Sequence, residues 1–303
     1  MPLFETIILP LDGSEPSEAA IPYAAAIGEL VGASIIVLHV LEEMRPVFDA
    51  RRGEVVWISP AQPRVELEAP ELLGEPISRL RSGGLTVRAV FRLGDPAAEI
   101  LDEVERWPAP LIVIASHGRG GLERLLLGSV ADRVLRDASA PVLVVPAAPA
   151  AEHPARVLLR TILVPLDGSP LAERALPAAM ELAGLAHAEV TLVHVVDLPA
   201  GRGDRDDSER EATVYLQQKA EALAGQSGRT ILQHVLHGEP GEQLRRFIAA
   251  RQPDLVVMVA HGRGRLGRWL LGSVTNELLT SHVGPLLLLR AQDDTNQEVA
   301  SEA

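Results

Sequence analysis

The sequence predicts an α/β protein of two tandem, doubly wound domains, each built on a five-stranded parallel sheet. Three observations carry that prediction. The chain repeats itself: TIILPLDGS at residues 6–14 returns as TILVPLDGS at 161–169, and HGRG at 117–120 with LLGSV at 126–130 returns at 261–264 and 270–274. Short apolar, mostly β-branched runs recur without polar alternation, as expected of strands covered on both faces. Segments of helical pattern and short turns separate those runs, the alternation of a doubly wound layer fold. A repeat this long is a duplicated domain, since solenoid units run to only about 20–50 residues. At 303 residues the length also fits two domains, each large enough to bury a core.

In chain order, the first copy offers strands at Ile7–Leu9, Ile35–Leu38, Leu111–Ile114 and Val142–Val145. Their partners are Ile162–Val164, Val190–Val193, Leu255–Val259 and Leu286–Leu289, and Val87–Phe91 and Ile231–Leu236 supply a less marked fifth strand in each copy. Helix starts are legible at Ser169-Pro170, with Ser14 in the matching place, at Asp95-Pro96 and Glu239-Pro240, and at Ser129 and Ser273. The boundaries read as 1–147 for the first domain, 148–157 for a linker, 158–291 for the second domain and 292–303 for a polar, disordered tail.

The copies differ most after their second strands. Asp12 recurs 155 residues on (167 − 12), but Gly128 recurs 144 on (272 − 128), so the first copy carries 11 extra residues (155 − 144). Pro46, Pro60 and Pro63 make residues 42–63 an expected irregular loop, with the charged segment 201–207 as its shorter counterpart. Such a loop is either a lid or a plain surface excursion.

Composition excludes several function classes. The net charge of −13 argues against nucleic acid, which clustered Lys and Arg would bind. An aromatic fraction of 3% leaves little for base stacking. Zero cysteines exclude disulfides, thiol chemistry and the usual structural zinc ligands. No basic-plus-apolar leader opens the sequence, and no apolar run approaches the ~18–20 residues of a membrane span, which predicts a cytoplasmic protein.

Ligands of open parallel sheets bind outside the carboxyl ends of strands, at the switch point. Three turns fall there: Pro10–Ser14 after the first strand, His39-Val40 at the end of the second, and Ala115-Ser116-His117-Gly118 after the fourth, running on to Gly128-Ser129. Gly128-Ser129 at a helix start suits an anion, because N–H groups and the positive dipole end face outward there; its plain alternative is a glycine turn. Asp12 and Asp167 fit ribose hydroxyls or a phosphate-bound magnesium, or else bond their own turn backbone. Arg119 and Arg263 are within reach of a phosphate or simply solvated.

His117 and His261 show no carboxylate or serine partner recognisable from spacing. His234 and His237 have metal-like spacing, but on a strand they point to opposite faces. Residues 262–267 spell GxGxxG, yet after the fourth strand and with Glu123 breaking the copy, so a dinucleotide site is not expected. A Walker A loop is missing, as are the sequence signatures of a hydrolase nucleophile or a metalloprotease.

Taken in order, Pro-Leu-Asp-Gly-Ser, His-Val and the glycine motif resemble the universal stress protein family in its tandem two-domain form. In that motif nine residues separate Gly118 from Gly128-Ser129, as nine separate Gly262 from Gly272-Ser273. The resemblance implies a five-stranded parallel sandwich of the adenine nucleotide alpha hydrolase type, holding ATP with magnesium. By that likeness Asp12 contacts ribose or metal, the Val40 backbone reads adenine, and Gly118, Gly128 and Ser129 cradle phosphates, with Pro10 and Ala115 alongside. The matching set is Asp167, Val195, Gly262, Gly272 and Ser273. Family members commonly pair through their last strands, which implies an internal pseudo-dimer of Val142–Val145 with Leu286–Leu289, a further homodimer remaining open.

The motif's first glycine is Ala115 in one copy and Val259 in the other. Valine at a position of positive φ would be costly, whereas a simple extension of the strand would leave the grip to the later glycines. On this ground the first copy ranks ahead as the ATP site. The leading expectation is therefore a stress-response regulator that binds ATP without efficient turnover, and not an enzyme. A phosphohydrolase using His117 and Arg119, and a nucleotide-free scaffold for protein partners, are the competing accounts.

Overall fold

The computed structural model describes residues 3–41, 45–49, 54–58, 73–117, 127–147, 153–197, 205–260 and 271–290. The first copy runs β1 (Thr6–Pro10), a 3-10 turn (Glu15–Ala20), α1 (Ile21–Val31), β2 (Ser34–Leu41), β3 (Arg45–Asp49), β4 (Glu54–Ile58), α2 (Gly74–Ser82), β5 (Val87–Leu93), α3 (Pro96–Val104), β6 (Pro110–Ala115), α4 (Ser129–Asp137) and β7 (Val142–Val145). The second runs β8 (Thr161–Pro165), α5 (Pro170–Glu173), α6 (Ala175–Ala186), β9 (Glu189–Val196), α7 (Arg205–Ser227), β10 (Ile231–His237), α8 (Pro240–Arg251), β11 (Leu255–Ala260), α9 (Ser273–Ser281) and β12 (Leu286–Arg290).

Ten strands form one sheet in the order β10-β9-β8-β11-β12-β7-β6-β1-β2-β5. Within each half all pairings are parallel, and the chain reverses direction across the sheet beside β1 and beside β8. The expected pairing of last strands is a main-chain ladder: β12 runs antiparallel to β7, with Leu286 opposite Val144 and Leu288 opposite Val142.

Side chains alternate across a strand, so the doubly apolar runs feed two cores. Ile7, Leu9, Ile35 and Val37 enter one, and Ile8, Ile36 and Leu38 the other. Each core is continuous through both copies. α1 packs against α6 across the seam. No helix among the described residues is long and apolar enough to cross a membrane.

Three expectations need correction. Within 42–63 the chain forms a two-stranded antiparallel hairpin, with Val47 opposite Val56 and Phe48 opposite Val55. These residues have high β propensity, and Pro46 is tolerated because a two-stranded ribbon leaves one side of each strand unpaired. Pro60 and Pro63 lie outside the described residues. In the charged segment 201–207, α7 already begins at Arg205, with Asp206 and Asp207 suited to the positive end of its dipole.

Ser14 is the third. It occupies the N-cap position of the 3-10 turn without a side-chain cap. Its hydroxyl donates backward to Asp12 Oδ1 at 2.5 Å, because a carboxylate is the stronger acceptor. Elsewhere the caps are as expected. Ser169 Oγ accepts from Ala172 N–H at 3.1 Å, Asp95 accepts from Ala98 N–H at 2.9 Å, and Glu239 accepts from Glu242 N–H at 2.6 Å.

Candidate functional site

At the first copy's switch point, β1 ends at Pro10, paired with Leu38, and Leu11 N–H still donates to the Leu38 carbonyl at 2.9 Å. β2 continues three residues further. Main-chain groups alternate sides along a strand, so Val40, two residues after Leu38, aims its N–H and C=O into the notch vacated by β1. The Leu41 carbonyl confirms the alternation by accepting from Gly94 N–H, on the β5 side, at 2.9 Å. The second copy repeats this with Leu166 N–H on the Val193 carbonyl at 2.8 Å and Gly238 N–H on the Val196 carbonyl at 3.1 Å. Val195 therefore faces the matching notch.

Asp12 stands on one wall of the notch. Its Oδ1 accepts the Ser14 N–H at 2.9 Å as well as the Ser14 hydroxyl, across Gly13 at φ 74. Asp167 accepts the Ser169 N–H at 2.9 Å, across Gly168 at φ 83. Both carboxylates thus make the local turn bond that was their plain alternative, which also fixes their orientation.

A histidine latches each turn, buried in the first copy and half-buried in the second. His39, 2% exposed, donates from Nδ1 to the Leu11 carbonyl at 2.6 Å. His194 bonds the Leu166 backbone, and burial, outweighing that bond, pushes its pKa below the ordinary histidine range. Sequence reasoning placed His39 only as part of a turn. Its recurrence at His194, at the same spacing as Asp12 and Asp167, was the available signal.

The opposite wall is the start of α4. Gly128 is its N-cap and Ser129 its first residue, exposed, with no side-chain cap on the first turn. Gly128 N–H donates to the Ser116 carbonyl at 2.8 Å, and a Cβ on Gly128 would lie 3.1 Å from that oxygen and 3.4 Å from His117 Cα. Glycine suits this close backbone approach and is not demanded by φ, which is −61. In the second copy α9 likewise starts after Gly272 at an exposed Ser273 without a side-chain cap. Gly118, Arg119, His261, Gly262 and Arg263 lie outside the described residues.

Ala115 and Val259 correct the argument that ranked the copies. Both are extended strand residues, paired with Val145 and Leu289, and neither has positive φ. Their side chains are buried in the same core, 5% and 2% exposed. The substitution extends the strand, and Val259 gives no reason to doubt the second copy.

A different asymmetry does distinguish them. In the second copy Tyr215 of α7 donates to Glu173 at 3.1 Å, and Lys219 pairs with the same carboxylate at 2.6 Å. The Tyr215 ring meets the His194 ring edge-on at 5.9 Å. Burial, the Glu173 bond and nearby Glu173 and Asp167 charges all raise the Tyr215 pKa. This clamp stands beside the Asp167 turn. By sequence position the first copy has Glu18, Glu71 and Glu75 in these places, three glutamates instead of Glu, Tyr and Lys, with Glu71 outside the described residues.

The remaining histidines fall as follows. His234 packs on Phe247 of α8 at 5.0 Å, whereas His237 meets Glu209 of α7 at 3.6 Å, so the two do face opposite sides of the sheet. His117 has a serine neighbour after all: its Nδ1 lies 3.2 Å from the hydroxyl of Ser116. That serine is only 1% exposed and is occupied by the Ala147 N–H, which makes it a structural partner. Among the described residues no group of three or more His, Asp or Glu could hold a metal ion.

This fold defines a tandem pair of doubly wound α/β domains fused through their last strands. The chain belongs to the universal stress protein family, whose profile matches it twice, over residues 3–146 and 159–290. It is 30% identical to the universal stress protein Rv2005c of Mycobacterium tuberculosis over 302 residues, covering 94% of this chain and 96% of that one. A universal stress protein of Mycolicibacterium smegmatis is 29% identical over 299 residues, with the same coverage of 94% and 96%. Among solved structures, a universal stress protein from Archaeoglobus fulgidus shares the fold with a TM-score of 0.70 at 23% identity, covering 94% of this chain and 98% of that one.

Proposed function

We propose that this protein is a stress-response regulator that holds ATP, with magnesium carried on the phosphates, at the carboxyl edge of its first copy and without efficient turnover. The observation that carries the reading is the glycine-started helix α4, whose uncapped first turn lies where a Cβ would strike backbone at 3.1 Å. Such a helix start suits a phosphate. The rest of the notch fits the same ligand. Val40 offers an adjacent N–H and C=O suited to the edge of a purine, and Asp12 supplies a carboxylate for ribose hydroxyls or the magnesium. Ser129 adds a hydroxyl donor beside the phosphates. Gly118 belongs to this set by its place in the motif.

A regulatory role is favoured over hydrolysis by family membership and by His117. That histidine is engaged through Nδ1 with Ser116 and through its ring with His282. The first copy is favoured over the second because Tyr215 and its clamp crowd the Asp167 corner. Asp167, Val195, Gly262, Gly272 and Ser273 form the equivalent second set.

Isothermal titration of the nucleotide-stripped chain with magnesium-ATP tests the reading. One site per chain supports it. Two sites would remove the distinction between copies, and no binding would overturn it in favour of a scaffold that acts through protein partners.

A further inference from the structure

The seam between the copies brings together two histidines that no sequence pattern pairs. Because β7 and β12 run antiparallel, the carboxyl end of β6 lies beside the turn that follows α9. His117, leaving β6, and His282, at the end of α9, meet there with ring centroids 5.1 Å apart.

Each ring is oriented through its Nδ1. His282 Nδ1–H donates to the Thr280 carbonyl at 3.0 Å. A carbonyl can only accept, so in the neutral ring Nε2 holds the lone pair. His117 turns its Nδ1 to the Ser116 hydroxyl at 3.2 Å. The Nε2 atoms of both rings are buried and lack any hydrogen-bond partner. Buried polar atoms are nearly always satisfied; His39 Nε2 and His194 Nδ1 are orphaned too, but among the described residues His117 and His282 bring two such atoms onto neighbouring rings, which calls for an explanation. The duplicated fold does not impose them, since Ala138 stands at the end of α4 where His282 stands at the end of α9.

We propose that His117 and His282 bind one divalent d-block ion of the zinc class through their Nε2 atoms, stapling the two copies together, with solvent completing the coordination. Neutral imidazole is a preferred ligand of such ions. Tetrahedral zinc with Zn–N of ~2.0–2.1 Å sets two imidazole centroids about 5 Å apart, and the rings already stand 5.1 Å apart. Ligand histidines usually carry an orienting partner on the other ring nitrogen, as both do here. A cavity of about 10 Å³ lies on the His282 side of the pair, against Ser116 and His282 and otherwise lined by Val144, Pro146 and residues of α9 and β12. With two protein ligands the ion exchanges readily. This site adjoins the phosphate end of the nucleotide notch, where Gly128 N–H meets the Ser116 carbonyl at 2.8 Å, but its ligand atoms are not the notch's and the proposal does not rest on nucleotide binding.

The test is calorimetric titration of zinc chloride into the full, nucleotide-free chain, beside His282→Asn and His117→Gln. Asparagine tolerates the left-handed backbone of position 282, at φ 49 and ψ 38. Circular dichroism confirms that each variant is folded, and if one is not, the other carries the test. The chain has nine histidines, so adventitious sites will be common to all three proteins. Wild type should take up one equivalent of zinc that each folded variant loses, and zinc should raise the unfolding temperature of wild type alone. Unchanged stoichiometry in a folded variant, or an equal thermal shift in all three proteins, would overturn the site.

Discussion

Replacing Gly128 by valine should weaken magnesium-ATP binding to the first copy while leaving the fold intact. At φ −61 and ψ 147 the backbone accepts any residue, so conformational preference contributes little to the penalty. What costs is space. A Cβ would stand 3.1 Å from the Ser116 carbonyl oxygen and 3.4 Å from His117 Cα, both main-chain atoms that cannot rotate aside. The start of α4 must therefore shift by tenths of an ångström, taking its first-turn N–H groups with it. Overpacking of this kind costs about 1–3 kcal/mol. If that strain falls on the bound geometry, affinity drops about 5- to 150-fold, since 1.4 kcal/mol is tenfold. The assay is isothermal titration of stripped wild type, Gly128→Val, Gly128→Ala as a graded intermediate, and Gly272→Val. The last should bind almost as wild type. Equal losses from Gly128→Val and Gly272→Val would refute the ranking of the copies, and undiminished binding by Gly128→Val would refute the cradle.

Three further outcomes are expected. Tyr215→Ala removes the ring beside His194 and should raise the magnesium-ATP stoichiometry from one toward two; an unchanged value would show that the clamp is not what distinguishes the copies. Leu287→Ala, at a fully buried position opposite Leu143 in the seam, should cost about 2–5 kcal/mol and lower the urea midpoint. The His234 pKa is lowered by burial and then by Arg251, so the unfolded chain binds the proton more tightly than the folded one. Its contribution is therefore complete above the unfolded value of about 6.5 and is lost as pH falls from there through the folded value. Urea midpoints of wild type should fall between pH 7.5 and 5.5, and those of His234→Gln should fall less.

Eight of the ten main strands were legible because burial on both faces turns them into largely apolar runs, as at Ile7–Leu9 and Leu255–Val259, whereas β5 and β10, at the sheet edges with exposed positions, gave a fainter signal. The hairpin at 45–58 was not, because three prolines, Pro46, Pro60 and Pro63, pointed to an irregular loop over the whole of 42–63. The notch was legible in the repeated Asp12, Gly128 and Ser129, but their readings depended on neighbours that spacing cannot supply. Val259 looked suspect as a replaced glycine, and only the ladder to Leu289 reveals ordinary extended backbone. The Tyr215–Glu173–Lys219 clamp and the His117–His282 contact join residues from distant parts of the chain. No periodicity announces contacts of that kind.

The antiparallel seam also decides which way the protein can speak. With every strand of one half running against every strand of the other, the two switch-point notches open at opposite ends of a single sheet. The chain is two-headed, its notches facing opposing directions back to back, and the two cores that lie between them are shared by both copies.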